Sequence, residues 1–143
     1  MVLDIRLAEA SDWERYACLD THISQETFLR KVEAQECIVA VTGKCVCGVL
    51  RYGMFWDEIP FIYHLYVAED MRRKKVGSQL LCALMIHAGL RGCELIMTST
   101  QADEEAQHFY RSFGFKDAGG FLIPIPGHEQ PLELVMVKPL AFA

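Results

Sequence analysis

Val67-Ala68-Glu69-Asp70-Met71-Arg72-Arg73-Lys74-Lys75-Val76-Gly77-Ser78-Gln79-Leu80-Leu81 is the stretch whose reading decides the fold. It follows Phe61 to Val67, a nearly continuous apolar and aromatic run that suits a central strand covered on both faces. Beyond the basic residues, Val76, Leu80, Leu81, Leu84, Met85 and Ala88 recur at helical spacing, and Gly89 and Gly92 stop the pattern. The segment is therefore strand, basic glycine-containing loop, helix. A helix start has unpaired N–H groups and the positive end of the helix dipole. After a strand end it makes an anion site that suits a phosphate or pyrophosphate, and Gly77 lets a ligand approach the backbone. A solvated basic turn capping a helix would read the same way from this segment alone.

Working outward, Val2 to Leu7 alternates apolar and polar residues as a first strand does. Ser11 and Glu14 form a capping-box pair that opens a helix to about Asp20, and Ser24 opens a second, roughly to Ala34. Cys37 to Val41, a turn at Thr42-Gly43-Lys44, and Cys45 to Phe55 read as a hairpin. Glu94 to Ser99 is another strand. Asp103 caps a helix to about Ser112 that Gly114 stops, and Phe115 to Ile123 and Leu132 to Val137 are the last strands. The order is β-α-α-β-β-β-α-β-α-β-β, an α/β sandwich with a mixed sheet and helices on both faces. At 143 residues, without a linker or repeat, the chain reads as one domain, 1–143.

Composition narrows the function classes. A net charge of −5 argues against a general nucleic-acid binder, so the run Arg72 to Lys75 stands out against an acidic background. Met1 to Ala10 has no apolar core of a secretory signal, and no run approaches the roughly 20 apolar residues of a membrane span. A cytoplasmic protein with reduced thiols is the expectation. Of six cysteines, Cys45 and Cys47 form a C-x-C, but no second pair stands at zinc spacing, and no metal site is expected.

A second stretch sharpens the first: Asp103-Glu104-Glu105-Ala106-Gln107-His108-Phe109-Tyr110-Arg111-Ser112-Phe113-Gly114-Phe115. Together the two resemble the signatures of the GNAT superfamily of acetyl-CoA-dependent acyltransferases. The first corresponds to its pyrophosphate loop, Gln/Arg-x-x-Gly-x-Gly/Ala, with Arg72 in the first place and Gly77 in the last. Lys75 stands where the first glycine normally is. The second resembles Asn-x-x-Ala-x-x-Phe-Tyr-x-x-x-Gly-Phe, with Asp103 in place of asparagine and Ala106, Phe109, Tyr110, Gly114 and Phe115 in register.

The resemblance implies the acyl-CoA N-acyltransferase fold, whose mixed sheet is mostly antiparallel. It implies acetyl-CoA as cosubstrate and a primary amine of a small molecule or protein as acceptor, and it leaves a homodimer open. Backbone groups of Leu65 and Val67, with Tyr66 between them, would hold the pantetheine arm. The segment Arg72, Arg73, Lys74, Lys75, Val76, Gly77 and Ser78 would hold the pyrophosphate, with Asp103 beside the cofactor. Tyr110 matches the tyrosine that protonates the departing thiolate. The family's usual base positions carry Phe61 and Tyr63. His64 is a candidate base only if a bulge re-aims it, because strand parity turns it away. Asp57 and Glu58 could accept a proton or attract a cation, and His22 and Glu26 lie where the acceptor often borders. His108, Glu104 and Glu105 read as solvated. A non-catalytic acyl-CoA-binding domain of the same fold is the alternative.

Overall fold

The computed structural model describes residues 2–140. A first strand, β1 (Asp4–Leu7), leads through a 3-10 turn, Ala10–Asp12, into a short helix, α1 (Trp13–Tyr16), and then α2 (Gln25–Glu33). The strands β2 (Cys37–Thr42), β3 (Cys45–Phe55) and β4 (Ile59–Val67) follow in succession. A second 3-10 turn, Glu69–Met71, precedes α3 (Val76–Leu90), β5 (Leu95–Gln101), α4 (Ala106–Ser112), β6 (Lys116–Phe121) and β7 (Glu133–Pro139).

All seven strands join one sheet in the order β1-β2-β3-β4-β5-β7-β6. Every neighbouring pair is antiparallel except β4 and β5, which run parallel. The sequence order of elements and the mixed, mostly antiparallel sheet both hold.

Two hydrophobic clusters flank the sheet. Leu80, Leu81 and Leu84 of α3 are fully buried against Ile38, Leu50, Tyr52 and Ile62. Each such leucine contributes roughly 2 kcal/mol by leaving water. Tyr16 of α1 and Phe28 of α2 cover Val39 and Val49 on the opposite face, their rings 4.6 Å apart. Gly48 lets α3 come this close: a Cβ there would stand 2.9 Å from Val76 Cγ1 and 3.0 Å from Leu80 Cδ1.

The first helix differs from the expectation. It is entered through the 3-10 turn, whose N-cap Glu9 donates its backbone N–H to the Asp12 carboxylate at 2.7 Å; the helix itself starts behind Asp12 and ends at Tyr16. Asp12 wins over Ser11 because Arg6 grips it from β1 with two hydrogen bonds, 2.8 and 2.9 Å, anchoring the turn to the sheet. Ser24 caps α2 as read, accepting from the Thr27 N–H at 3.1 Å. Asp103 does not cap α4, which begins three residues later behind Glu105. Central strand β4 is not covered on both faces, since Tyr63 and Tyr66 are 55% and 39% exposed.

Candidate active site

The parallel ladder between β4 and β5 is two residues long, Phe61 with Met97 and Ile62 with Thr98. Beyond it β4 stays paired with β3 as far as Val67, while β5 stays paired with β7 as far as Gln101. The two strands are held by their outer neighbours and diverge. A wedge therefore opens in mid-sheet, with strand-edge backbone groups of His64 to Val67 along one side. Such an edge pairs with any extended chain that offers amide groups.

At the wide end of the wedge, β4 runs into the basic loop. Arg73 and Lys75 both take left-handed backbone conformations, with φ of 64° and 61°. Lys75 is the N-cap of α3. That is the physical reason a glycine serves at this position: the left-handed region costs a residue with a Cβ about 1–2 kcal/mol. The switch from left-handed Lys75 to helical Val76 aims successive N–H groups to one side, the concavity that holds anions. Val76, Gly77 and Ser78 supply the unpaired N–H groups of the first helical turn.

A cleft of about 330 Å³ lies over this turn, walled by Val67, Arg72, Arg73, Lys75, Gly77 and Phe109 among others. Gly77 has ordinary torsions, and a Cβ there would sit 3.6 Å from Phe109 and 3.7 Å from Val67, so alanine fits equally well. Arg72 donates through Nε to the Val67 carbonyl at 3.2 Å and lays its guanidinium 5.1 Å from the Tyr66 ring centroid.

The cleft continues along Val67, Gly77 and Phe109 to Leu65 and Tyr110, and from there into the wedge. Tyr110 stands at that junction, buried between Phe109 and Phe115. Burial pushes its phenol up to about 12, with the neighbouring Thr98 hydroxyl offsetting part of that rise. It remains a protonated donor at neutral pH. Thr98 in turn donates to the Ile62 carbonyl at 3.3 Å, tying β5 to β4 where they part.

His64 faces the wedge because the strand carries a bulge. Arg51 pairs with His64 and Tyr52 with Ile62, leaving Tyr63 as the extra residue. Phe61, Tyr63, His64 and Tyr66 then share the α1–α2 face. Gly53 makes room beneath: any Cβ there would lie 2.5 Å from the Tyr63 ring.

His64 Nε2 lies 2.8 Å from the Leu19 carbonyl. A carbonyl only accepts, so Nε2 carries the hydrogen and Nδ1 of the neutral ring keeps its lone pair. Asp20 stands 3.8 Å from the same nitrogen, its side chain fully buried. Burial disfavours its charge, but hydrogen bonds from Arg51 at 2.8 Å and Tyr16 at 2.7 Å outweigh that and hold the carboxyl below its usual range.

Of the residues expected around the cofactor, Leu65, Tyr66, Val67, Arg72, Arg73, Lys75, Val76, Gly77, Ser78 and Tyr110 line these connected clefts. Lys74 and Asp103 are exposed and line none of the three. His22 reaches the wedge, its ring 6.3 Å from His64. Glu104, read as solvated, borders it as well. Asp57 and Glu58 sit instead in the β3–β4 turn, beside a separate cleft with Arg91.

Asp20, Arg51, Thr98 and Glu133 escaped the sequence reading. Asp20 and Arg51 are 31 residues apart, and no local pattern pairs them. Thr98-Ser99-Thr100 did carry a signal, a polar run in a strand that should be central and apolar.

Comparison with known proteins follows this geometry. A family profile described as an acetyltransferase (GNAT) domain matches residues 33–117, more than half of the chain. GCN5-related N-acetyltransferase 10, chloroplastic, of Arabidopsis thaliana is 31% identical over 103 residues, 71% of this chain and 40% of that protein. The chain thus spans about two fifths of that curated relative's length. The crystal structure of Ard1 from Thermoplasma volcanium superposes with a TM-score of 0.87 at 18% identity, covering 99% of this chain and 100% of that one. N-acetylglutamate synthase from Neisseria gonorrhoeae, complexed with coenzyme A and N-acetyl-glutamate, gives 0.82 at 16% identity, covering 99% of this chain and 36% of the other. At such identities the two structures speak for the fold, while the profile match, together with the loop and the splayed strands, identifies this chain as a member of the GNAT family of acetyltransferases.

Proposed function

We propose that the chain transfers an acetyl group from acetyl-CoA to a primary amine by direct attack on the thioester. The observation that carries this reading is the divergence of β4 from β5 beyond Ile62 and Thr98, opening beside a left-handed loop at the start of α3. Acetyl-CoA supplies the activated acyl group. The exposed strand edge from His64 to Val67 pairs with its extended amide-bearing arm. The first-turn N–H groups of α3, with Arg72, Arg73 and Lys75, take the phosphates.

The remaining chemistry falls to residues of the wedge. An alkylammonium titrates near 10.4, so a proton must leave before the nitrogen attacks at neutral pH. His64 Nδ1 accepts it, and Asp20 behind Nε2 stabilises the imidazolium. A backbone N–H of β4 near Val67 donates to the carbonyl oxygen as it gains charge. The nitrogen–carbon bond forms, the carbon–sulfur bond breaks, and the Tyr110 hydroxyl gives its proton to the sulfur. Release of free thiol from acetyl-CoA in the presence of amines, with mass-spectrometric detection of the N-acetyl product, tests this. Thiol release without amide, or acetyl-CoA bound but never consumed, would favour a non-catalytic acyl-CoA-binding domain.

A further inference from the structure

We infer that Arg72 selects the donor: its guanidinium occupies the strand edge proposed for the cosubstrate's arm, and a phosphate-bearing donor draws it away. The inference rests on the wedge being the acetyl-transfer site and adds a gate to that site.

The Val67 carbonyl is an edge group. Ala68 donates its N–H to the Cys47 carbonyl of β3 at 2.8 Å. The C=O and N–H of one trans peptide unit point opposite ways, so the Val67 carbonyl points away from β3, toward the side from which β5 has diverged. Arg72 Nε donates to this oxygen at 3.2 Å. A neighbouring extended chain would run about 4.8 Å from the strand. A guanidinium at hydrogen-bond distance therefore lies in the lane that an incoming arm takes. Its second seat is the Tyr66 ring, 5.1 Å away, which stacks in turn on His64. Arg72 also borders both the cleft over the first turn of α3 and the cleft that leads to Leu65 and Tyr110.

This seat is one that a phosphate can empty. Arg72 is exposed, and among the described residues no carboxylate lies within ion-pair distance of it. Its charge meets only a neutral carbonyl and a ring face, both modest partners in contact with water. A phosphate is the stronger partner, because the planar guanidinium can grip two of its oxygens at once. A donor that carries a pyrophosphate thus opens the edge as it binds. The same arm without phosphate has to displace Arg72 unaided.

The test titrates wild type and Arg72→Ala with S-acetylpantetheine, which lacks phosphate, and with acetyl-CoA, following binding by NMR. Arg72→Ala should bind S-acetylpantetheine about fivefold more tightly, equivalent to ~1 kcal/mol and the scale of one exposed hydrogen bond. It should bind acetyl-CoA about fivefold or more weakly, having lost a phosphate partner. The opposite signs separate a gate from a residue that only supports the cleft. A fivefold gain corresponds to an edge that is open about one fifth of the time in wild type. Inorganic pyrophosphate should tighten S-acetylpantetheine binding to wild type by up to the same factor and leave Arg72→Ala unaffected. Weaker binding of both donors to Arg72→Ala, an unchanged affinity for S-acetylpantetheine, or pyrophosphate without effect on wild type would each overturn the inference. Any of these alongside saturable acetyl-CoA binding to wild type refutes the gate alone. No acetyl-CoA binding to wild type refutes the transfer site and the gate together.

Discussion

Lys75 is a residue whose backbone and side chain pull in different directions. Its left-handed torsion favours glycine, while its ammonium adds charge at the turn proposed to hold phosphate. Lys75→Gly should therefore raise unfolding stability by roughly 1 kcal/mol, read from the denaturant midpoint, and weaken acetyl-CoA binding. Unchanged stability would mean that the turn holds no strain. In the proposed reaction Tyr110 acts only as the thiolate departs, so Tyr110→Phe should lower kcat about 100-fold and leave acetyl-CoA affinity intact. His64→Gln should likewise lower kcat about 100-fold or more, since a proton acceptor is lost while the ring's contact with Leu19 can be kept. Full activity in either variant would remove that residue from the reaction.

At the scale of elements, α3 on β3 is the tightest joint. Gly48→Ala should destabilise the fold by about 1–3 kcal/mol, because the added methyl meets Val76 and Leu80 within 3.0 Å; a midpoint equal to wild type would show that α3 gives way freely. Elements set by local pattern were legible in the sequence. Val76 to Leu90 followed from apolar spacing and two glycines, and α2 from Ser24. Features set by a distant partner were not. The bulge at Tyr63 exists only in the register of β4 on β3, yet it decides that His64 faces the wedge. The expected Ser11–Glu14 capping box gave way to one between Glu9 and Asp12 in the preceding 3-10 turn because Arg6 on β1 holds Asp12, a contact spacing alone does not weigh. The basic loop before α3 and Tyr110 were legible as motifs, whereas the Asp20–Arg51 pair behind His64 was hidden by its separation in the chain.

Across the whole molecule, two buried carboxylates link the fold to pH. Asp20 and Asp12 both titrate below the usual range in the folded state, Asp20 through Arg51 and Tyr16 against burial, Asp12 through Arg6. Groups with lowered folded values contribute stability that is complete above the unfolded value of about 3.9 and is lost as pH falls through the lower folded values. Thermal melting should therefore fall steeply below about pH 4, with a shallower fall in Asp20→Asn. An equal slope would take Asp20 out of that linkage.

The central claim is that the splayed strands and the loop form an acetyl-CoA site. Ligand at 100 times its dissociation constant would add about 2.7 kcal/mol to stability, but binding itself is the more direct observable. Calorimetric titration of the wild-type chain and Gly77→Glu with acetyl-CoA is that measurement. The expected result is saturable one-to-one binding to wild type and strong weakening in the variant, whose carboxylate enters the phosphate turn. Absence of binding to wild type at millimolar acetyl-CoA, or equal affinity in Gly77→Glu, would contradict it.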